Sequence, residues 1–286
     1  MISVAAQNSA DRDEFRELAI GPWRAVVAEA IAEPFEQAAL SLRLDEQNDL
    51  RSLGVASSSI HGRGQNSILE LPGTSTRLHI RPLVHGGILA RLTGTRFSSL
   101  ERPIAELRTT AELARRGAPV PKPGFALGRR RGWFWQTAVG SVHEAGTLDG
   151  AAYLESNPDC ASLERAARAA GSAVRRLHDL GCRHADLHIK NLLIRESRDT
   201  SEVIIVDLDR ARLDAELTPR RRMLELMRLH RSLQKRGSRE ALHPRIQASF
   251  FFAYLRGDSE LRHRMLAYQR FEVLRVRVHA LLYRRS

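Results

Sequence analysis

The spacing of apolar positions changes along the chain, and each change predicts a different kind of element. From Asp11 to Leu50 the residues Leu18, Val26, Val27, Ala30, Ile31, Phe35, Ala38 and Leu42 recur at helix-like intervals. One or two amphipathic helices are therefore expected over 1–50, ahead of the main fold. Between Val55 and Leu83 the texture turns to short β-like pieces, Val55–Ile60, Ser67–Leu71 and Arg77–Leu83, broken by Gly62, Gly64, Pro72 and Gly73. A small antiparallel sheet is the expected outcome. A helix over Ser98–Arg116 follows, with Ser98 or Ser99 as its cap and Gly117 as its stop. Pro119, Pro121 and Pro123 then impose an extended link, after which Gly124–Leu127 and Trp133–Ala138 read as strands flanking the basic turn Gly128–Gly132.

Beyond Gly146 the chain becomes mostly helical. The clearest helix is Ser162–Leu180, with Leu163, Ala166, Ala170, Val174, Leu177 and Leu180 on one side and Gly181 at its end. Two strand-like runs, Leu192–Ile194 and Val203–Val206, precede a helical tail from Glu216 that is interrupted near Gly237 and Gly257. Strands with one helix among them, then helices enclosing a small hairpin, predict an α+β protein of two lobes. The expected division is a helical extension over 1–50, a sheet-bearing lobe over 51–139 and a mostly helical lobe with a helical tail over 140–286. Gly140–Gly146 is the expected joint.

Composition narrows the classes further. With 286 residues, 43% hydrophobic and 27% charged, the chain is long enough to bury a sizeable core and is not of disordered composition. No aliphatic run approaches the roughly 18 residues a membrane-spanning helix needs, and Met1–Phe15 lacks the basic start and apolar core of a secretory signal. The cytoplasm is the expected compartment, and Cys160 and Cys182 are expected to be ordinary reduced thiols. Basic residues outnumber acidic ones by 45 to 33, a net charge of +12, which favours anionic partners. Only Lys122, Lys190 and Lys235 are lysines, so the excess is arginine. Nucleic acid is disfavoured, because the aromatic-interleaved basic patches of single-strand binders are missing. An anionic membrane surface fits better, through Arg220–Arg222, Arg228, Arg231, Arg236 and the run from Arg262 to Arg285.

Candidate chemistry concentrates in His184-Ala185-Asp186-Leu187-His188-Ile189-Lys190-Asn191 and, after a short gap, Ile204-Ile205-Val206-Asp207-Leu208-Asp209-Arg210. An Asp, an Asn five residues on, and an Asp closing an apolar strand is the arrangement that kinase-like phosphoryl transfer requires. One carboxylate accepts the proton of the acceptor hydroxyl; the amide oxygen and the second carboxylate hold Mg²⁺ against nucleotide phosphates, hard oxygen ligands for a hard ion. Asp186 is thus the candidate base, and Asn191 and Asp207 the candidate metal ligands. Lys190, four residues after the base, is a candidate contact for the transferred group, with a solvated loop lysine as the alternative. His184 is read as a hydrogen-bonded prop for the loop, and His188 stays open.

Blocks outside this segment carry a resemblance. They are His61-Gly62-Arg63-Gly64, the run Arg81 to Gly87, Arg102-Pro103-Ile104-Ala105-Glu106, Gly117 to Pro123, and Arg228 to Lys235. Together with the catalytic segment they resemble the lipopolysaccharide kinase group of the protein-kinase-like superfamily, in particular the 3-deoxy-D-manno-octulosonic acid (Kdo) kinases, over about residues 55 to 236. The resemblance implies a small antiparallel-sheet lobe binding ATP and a mostly helical lobe carrying the catalytic loop. It implies that Gly62 and Gly64 approach phosphate by their backbone, and that Arg81, paired with Glu106, takes the place of the usual phosphate-contacting lysine. Arg210, after the metal Asp, is implied to order the neighbouring loop. The implied acceptor is a sugar hydroxyl, most simply a Kdo residue of a glycolipid, met at the inner face of the cytoplasmic membrane. A small-molecule kinase of the aminoglycoside or choline type shares the Asp, Asn, Asp order, and a catalytically impaired binding module is the third reading, since arginine is not a neutral replacement for lysine.

Overall fold

Gly21 and Pro22 interrupt the first apolar run, and in the computed structural model the chain turns back at that point. The structure describes residues 14–44, 46, 55–56, 67–83, 96–97, 99–236 and 240–267. In chain order the elements are β1 (Phe15–Ile20), β2 (Trp23–Ala28), α1 (Ala32–Ser41), β3 (Val55–Ala56), β4 (Ser67–Glu70), β5 (Arg77–Pro82), β6 (Arg96–Phe97), α2 (Glu101–Arg115), β7 (Pro123–Arg131) and β8 (Phe134–Val142). They continue as β9 (Leu148–Asp149), α3 (Gly150–Glu155), α4 (Cys160–Asp179), β10 (Cys182–Arg183), β11 (Leu192–Glu196), β12 (Ser201–Ile205), β13 (Arg212–Leu213), α5 (Pro219–Gln234) and α6 (Pro244–Leu255). Residues 259–267 are helical again.

The chain divides into two compact units, one of residues 1–114 and 121–145, the other of 115–120 and 146–286. The first is built on an antiparallel sheet ordered β1-β2-β7-β8-β5-β4-β3, with β6 also paired to β8. Here the expectation of a separate helical extension over 1–50 is corrected. Ile20 lies opposite Trp23 across the turn, and β2 pairs with β7 from Trp23↔Arg129 to Val27↔Phe125, so these residues are sheet. The helical spacing misled because Val26 and Val27 face opposite sides of a strand that is buried on both. Among the described residues, α1 and the single turn Glu29–Ile31 before it keep the helical character expected there, and 1–13 lie outside the described residues. Strand β8 also runs through Gly140, so the sheet-bearing unit extends past the expected boundary at 139.

Period-2 alternation sorts the core of this unit into two faces. Ala25, Val27, Phe125 and Leu127 join Phe35 of α1 and Leu78 and Ile80 of β5 in one cluster. Val26 and Ala126, the residues between, join Leu107 and Ala111 of α2 in another. The sheet is therefore sandwiched by α1 and α2. Phe125 packs on Phe35 in a tilted pair with ring centroids 4.6 Å apart, and its ring covers Gly140, its cross-strand partner, where a β-carbon would collide with it.

The second unit centres on α4, whose Asp159 cap accepts the N–H of Ser162 at 2.7 Å. Its buried face holds Leu163, Ala166, Ala170, Val174 and Leu177, the stripe read from the sequence. Helix α6 crosses α4 at Gly171, where a β-carbon would fall on the Phe250 carbonyl. Strands β11 and β12 form the expected hairpin, from Leu192↔Ile205 to Glu196↔Ser201, with β9 added to β11. Thr218 caps α5, followed by Pro219 in its first turn. Cys160 and Cys182 are free thiols, and burial pushes Cys182 up to about 12.

Candidate active site

Gly181 leaves α4 with φ +75°, a conformation L-residues resist, and sends the chain through β10 into the segment His184–Asn191. The polar groups of this segment are collected one by one. Helix α5 supplies most partners: Glu225 accepts the N–H of His184 at 3.0 Å and of Ala185 at 2.6 Å, Arg228 donates to the Ala185 carbonyl, and Ser232 Oγ accepts the N–H of Ile189 at 3.0 Å. The His184 ring reaches the Val206 carbonyl through Nε2 at 3.0 Å. Because a carbonyl only accepts, Nε2 carries the proton and Nδ1 is left to face the Asp186 N–H, 3.4 Å away. His184 is thus the prop read from the sequence.

Three predicted residues come together here. Asn191 is buried and donates through Nδ2 to the Asp186 carbonyl at 3.0 Å, while its own carbonyl accepts the Val206 N–H at 3.0 Å. Asn191 thereby ties the loop bearing Asp186, through its side-chain amide, to the strand end that leads into Asp207, through its backbone carbonyl. The Asp186 carboxylate is 53% exposed, as a group that meets a substrate must be. Ala185 and Asp207 hold φ of 66° and 65°, which costs a non-glycine residue about 1–3 kcal/mol and persists only where the surroundings impose it. His188 lies 3.9 Å from Asp186. Burial holds its imidazole below the usual range, and the carboxylates of Asp186 and Asp207 offset that only in part, so both acids bear on one ring. Lys190 is half-buried in the single turn Ile189–Asn191.

Behind the loop lies a buried relay that sequence reasoning missed. Tyr254 Oη and His178 Nδ1 are 2.8 Å apart, and His178 Nε2 and Glu225 are 3.4 Å apart. Burial disfavours the His178 imidazolium. The neutral ring accepts from the tyrosine hydroxyl and donates to the carboxylate. Burial pushes Glu225 up, but His178 and the N–H groups of Ala185 and His184 outweigh it and hold the carboxyl below its usual range. A signal did exist: Glu225 is the lone acid in a helix crowded with arginines.

In the first unit, Arg81 on β5 donates through one terminal nitrogen to both Glu106 oxygens, at 2.5 and 2.8 Å. Glu106 is buried on α2, and Arg81 keeps 26% exposure. The pair implied by the resemblance is therefore formed with arginine in the lysine's place. His79 precedes Arg81 by two residues on the same strand face; burial, His143 and Arg81 push its ring down to about 4. Gly62 and Gly64 lie outside the described residues, as does most of the arginine run beyond 267.

The donor chemistry fits a hard divalent ion. Asn191 has its amide nitrogen engaged, which leaves its oxygen as the available donor, and Asp207 adds carboxylate oxygens. Among the described residues no group of three or more His, Cys, Asp or Glu side chains could hold a metal. Oxygen donors of this kind suit Mg²⁺, which takes carboxylate oxygens together with waters and substrate phosphates.

Comparison with known proteins shows the family of the chain. The model of the lipopolysaccharide kinase (Kdo/WaaP) family matches residues 60–254, over half of the chain. A 3-deoxy-D-manno-octulosonic acid kinase of Vibrio vulnificus strain CMCP6 is 29% identical over 191 residues, 65% of this chain and 76% of the relative. Its counterpart in Xanthomonas axonopodis pv. citri strain 306 is 33% identical over 184 residues, 62% of this chain and 70% of the relative. A solved structure of WaaP in complex with acyl carrier protein aligns with a TM-score of 0.47 and 19% identity, covering 79% of this chain and 93% of that one. With its motifs in order and most of its length matched, the chain belongs to the lipopolysaccharide kinase (Kdo/WaaP) family of phosphotransferases.

Proposed function

We propose that the chain transfers the γ-phosphoryl group of ATP to a hydroxyl of a lipid-linked sugar, a Kdo residue, at the cytoplasmic face of the inner membrane. The observation that supports this best is the Asn191 tie, which holds the backbone of Asp186 beside the entry to Asp207. ATP use follows from membership in a kinase family, and the Kdo acceptor from the relatives named for it. No helix among the described residues is long and apolar enough to cross a membrane.

In this reading the acceptor hydroxyl hydrogen-bonds to Asp186. As its oxygen bonds to the γ-phosphorus, the bond to the β,γ-bridging oxygen breaks, ADP leaves, and the hydroxyl proton passes to the Asp186 carboxylate. Arg81, oriented by Glu106, neutralises charge on the nucleotide phosphates. Held by Asn191 and Asp207, Mg²⁺ would supply charge neutralisation on the same phosphates. Lys190 is assigned to the transferred group.

The test is transfer of label from γ-labelled ATP with Kdo-lipid A, free Kdo and an aminoglycoside as separate acceptors. Label is expected in the Kdo-containing compounds and to disappear with Asp186→Ala, while Mg-ATP still shifts the melting temperature of that variant. Label on the aminoglycoside alone, or full turnover by Asp186→Ala, overturns the reading.

A further inference from the structure

Strands β7 and β8 continue past their neighbours. The last pair with β2 is Trp23↔Arg129, and the last pair with β6 is Phe97↔Trp135. Beyond these the hairpin goes on through Arg130↔Trp135 and Arg131↔Phe134 to the turn Gly132-Trp133. Among the described residues, Arg130 to Phe134 therefore overhang the sheet with no strand on either side. All five are exposed, and at their apex Trp133 is 89% accessible, with Phe134 beside it at 40%. A tryptophan this open has no packing role in its own unit, since the core it would serve is filled by Trp23 and Phe125.

Charge and direction say what the tip meets. From residue 113 to 143 there is no carboxylate, whereas Arg129, Arg130 and Arg131 follow one another into the turn. Strand alternation puts Arg129 and Arg131 on one face with Phe134, and Arg130 on the other. The hairpin thus ends in an apolar apex with cations on both sides. A protein partner of ordinary interface size would cover one broad face, and this tip offers none. A bilayer entered end-on surrounds the apex with acyl boundary and both flanks with phosphate, the setting in which interfacial tryptophans are enriched.

We propose that the β7–β8 tip is a membrane-docking element that seats Trp133 at the headgroup boundary of an anionic bilayer, with Arg130 and Arg131 on lipid phosphates. It gives physical form to the membrane-facing part of the proposed function, but stands on the geometry of the first unit and needs neither nucleotide nor acceptor.

The full chain is sedimented with vesicles of phosphatidylglycerol and phosphatidylcholine, and with phosphatidylcholine alone, while tryptophan emission is recorded. The wild type is expected to bind the anionic vesicles with a blue shift and to leave the neutral ones unbound. Trp133→Ser should bind about tenfold more weakly and lose most of the shift. The double variant Arg130→Ser/Arg131→Ser should bind about 25-fold more weakly, roughly fivefold per charge. Unchanged thermal melting of each variant confirms that the sheet is intact. Equal binding by Trp133→Ser, or anionic binding that soluble phosphate or an oligonucleotide abolishes at matched ionic strength, overturns the assignment. Loss of vesicle binding with phosphate transfer to free Kdo intact supports the docking role; loss of transfer with vesicle binding intact would count against the catalytic reading alone.

Discussion

The Glu225 carboxylate accepts the backbone N–H of Ala185 at 2.6 Å, and the residue it holds sits at φ +66°, immediately before the candidate base. A side chain on α5 therefore sets the backbone from which Asp186 projects. Glu225→Ala leaves two N–H groups and His178 without their acceptor in a buried place, so a loss of about 3–5 kcal/mol is expected by urea unfolding. Glu225→Gln keeps one acceptor oxygen and should lose less stability. In that variant kcat is expected to fall at least tenfold with KM for ATP little changed, because the backbone under Asp186 shifts while the nucleotide contacts stay. Wild-type kcat in Glu225→Gln would show that the clamp is not needed.

Acid stability follows from two groups. The folded Glu225 carboxyl lies below its ordinary value of 4.5, so the unfolded chain binds more protons there and stability falls as pH drops through that region. The folded His79 ring titrates at about 4 against 6.5 unfolded. A histidine depressed in the fold contributes stability above pH 6.5, and this is lost as pH falls from 6.5 towards 4. Unfolding free energy should thus decline from pH 6.5 downward, and the first part of the decline should vanish in His79→Gln. Proton NMR should find the His79 ring neutral at pH 6.

Arginine in place of lysine at residue 81 makes a directional prediction. Arg81 NH2 donates to both Glu106 oxygens, a pairing set by the planar guanidinium. Arg81→Ala should lower kcat/KM for ATP about a hundredfold, since the cation proposed for the nucleotide phosphates is lost and the buried Glu106 is left without it. Arg81→Lys should recover part of this. Full activity in Arg81→Ala would place phosphate recognition elsewhere.

At the crossing of α4 and α6, Gly171→Ala should separate the two helices. The obstacle is backbone, the Phe250 carbonyl, so no rotamer change relieves it. A loss of about 1–3 kcal/mol, typical of overpacking, is expected in chemical denaturation, and more if Tyr254 is drawn away from His178.

The candidate catalytic segment was legible because its residues are local: Asp186, Asn191 and Asp207 lie within 22 residues, and a loop, a turn and one hairpin link them. Glu225 was not legible, because a carboxylate reaching back across 40 residues leaves no trace in spacing. Arg81 and Glu106 were reached only through resemblance, and nothing local distinguishes either from an ordinary exposed charge. Residues 15–28 were misread for a related reason. Strand β2 is apolar on both faces, which erases the alternation that marks a half-buried strand, and Gly21-Pro22 was the better guide.

By itself the sequence determined the α+β class, the helices with a single apolar stripe, the β11–β12 hairpin and the order of the candidate site residues, since each depends on neighbours a few positions apart. Tertiary structure alone decided that β1 and β2 complete the sheet, that α5 clamps the catalytic loop and that Trp133 is left at an uncovered tip. Pairing partners, buried acceptors and exposure are properties of what packs against a residue, and the chain brings those groups together only when it folds.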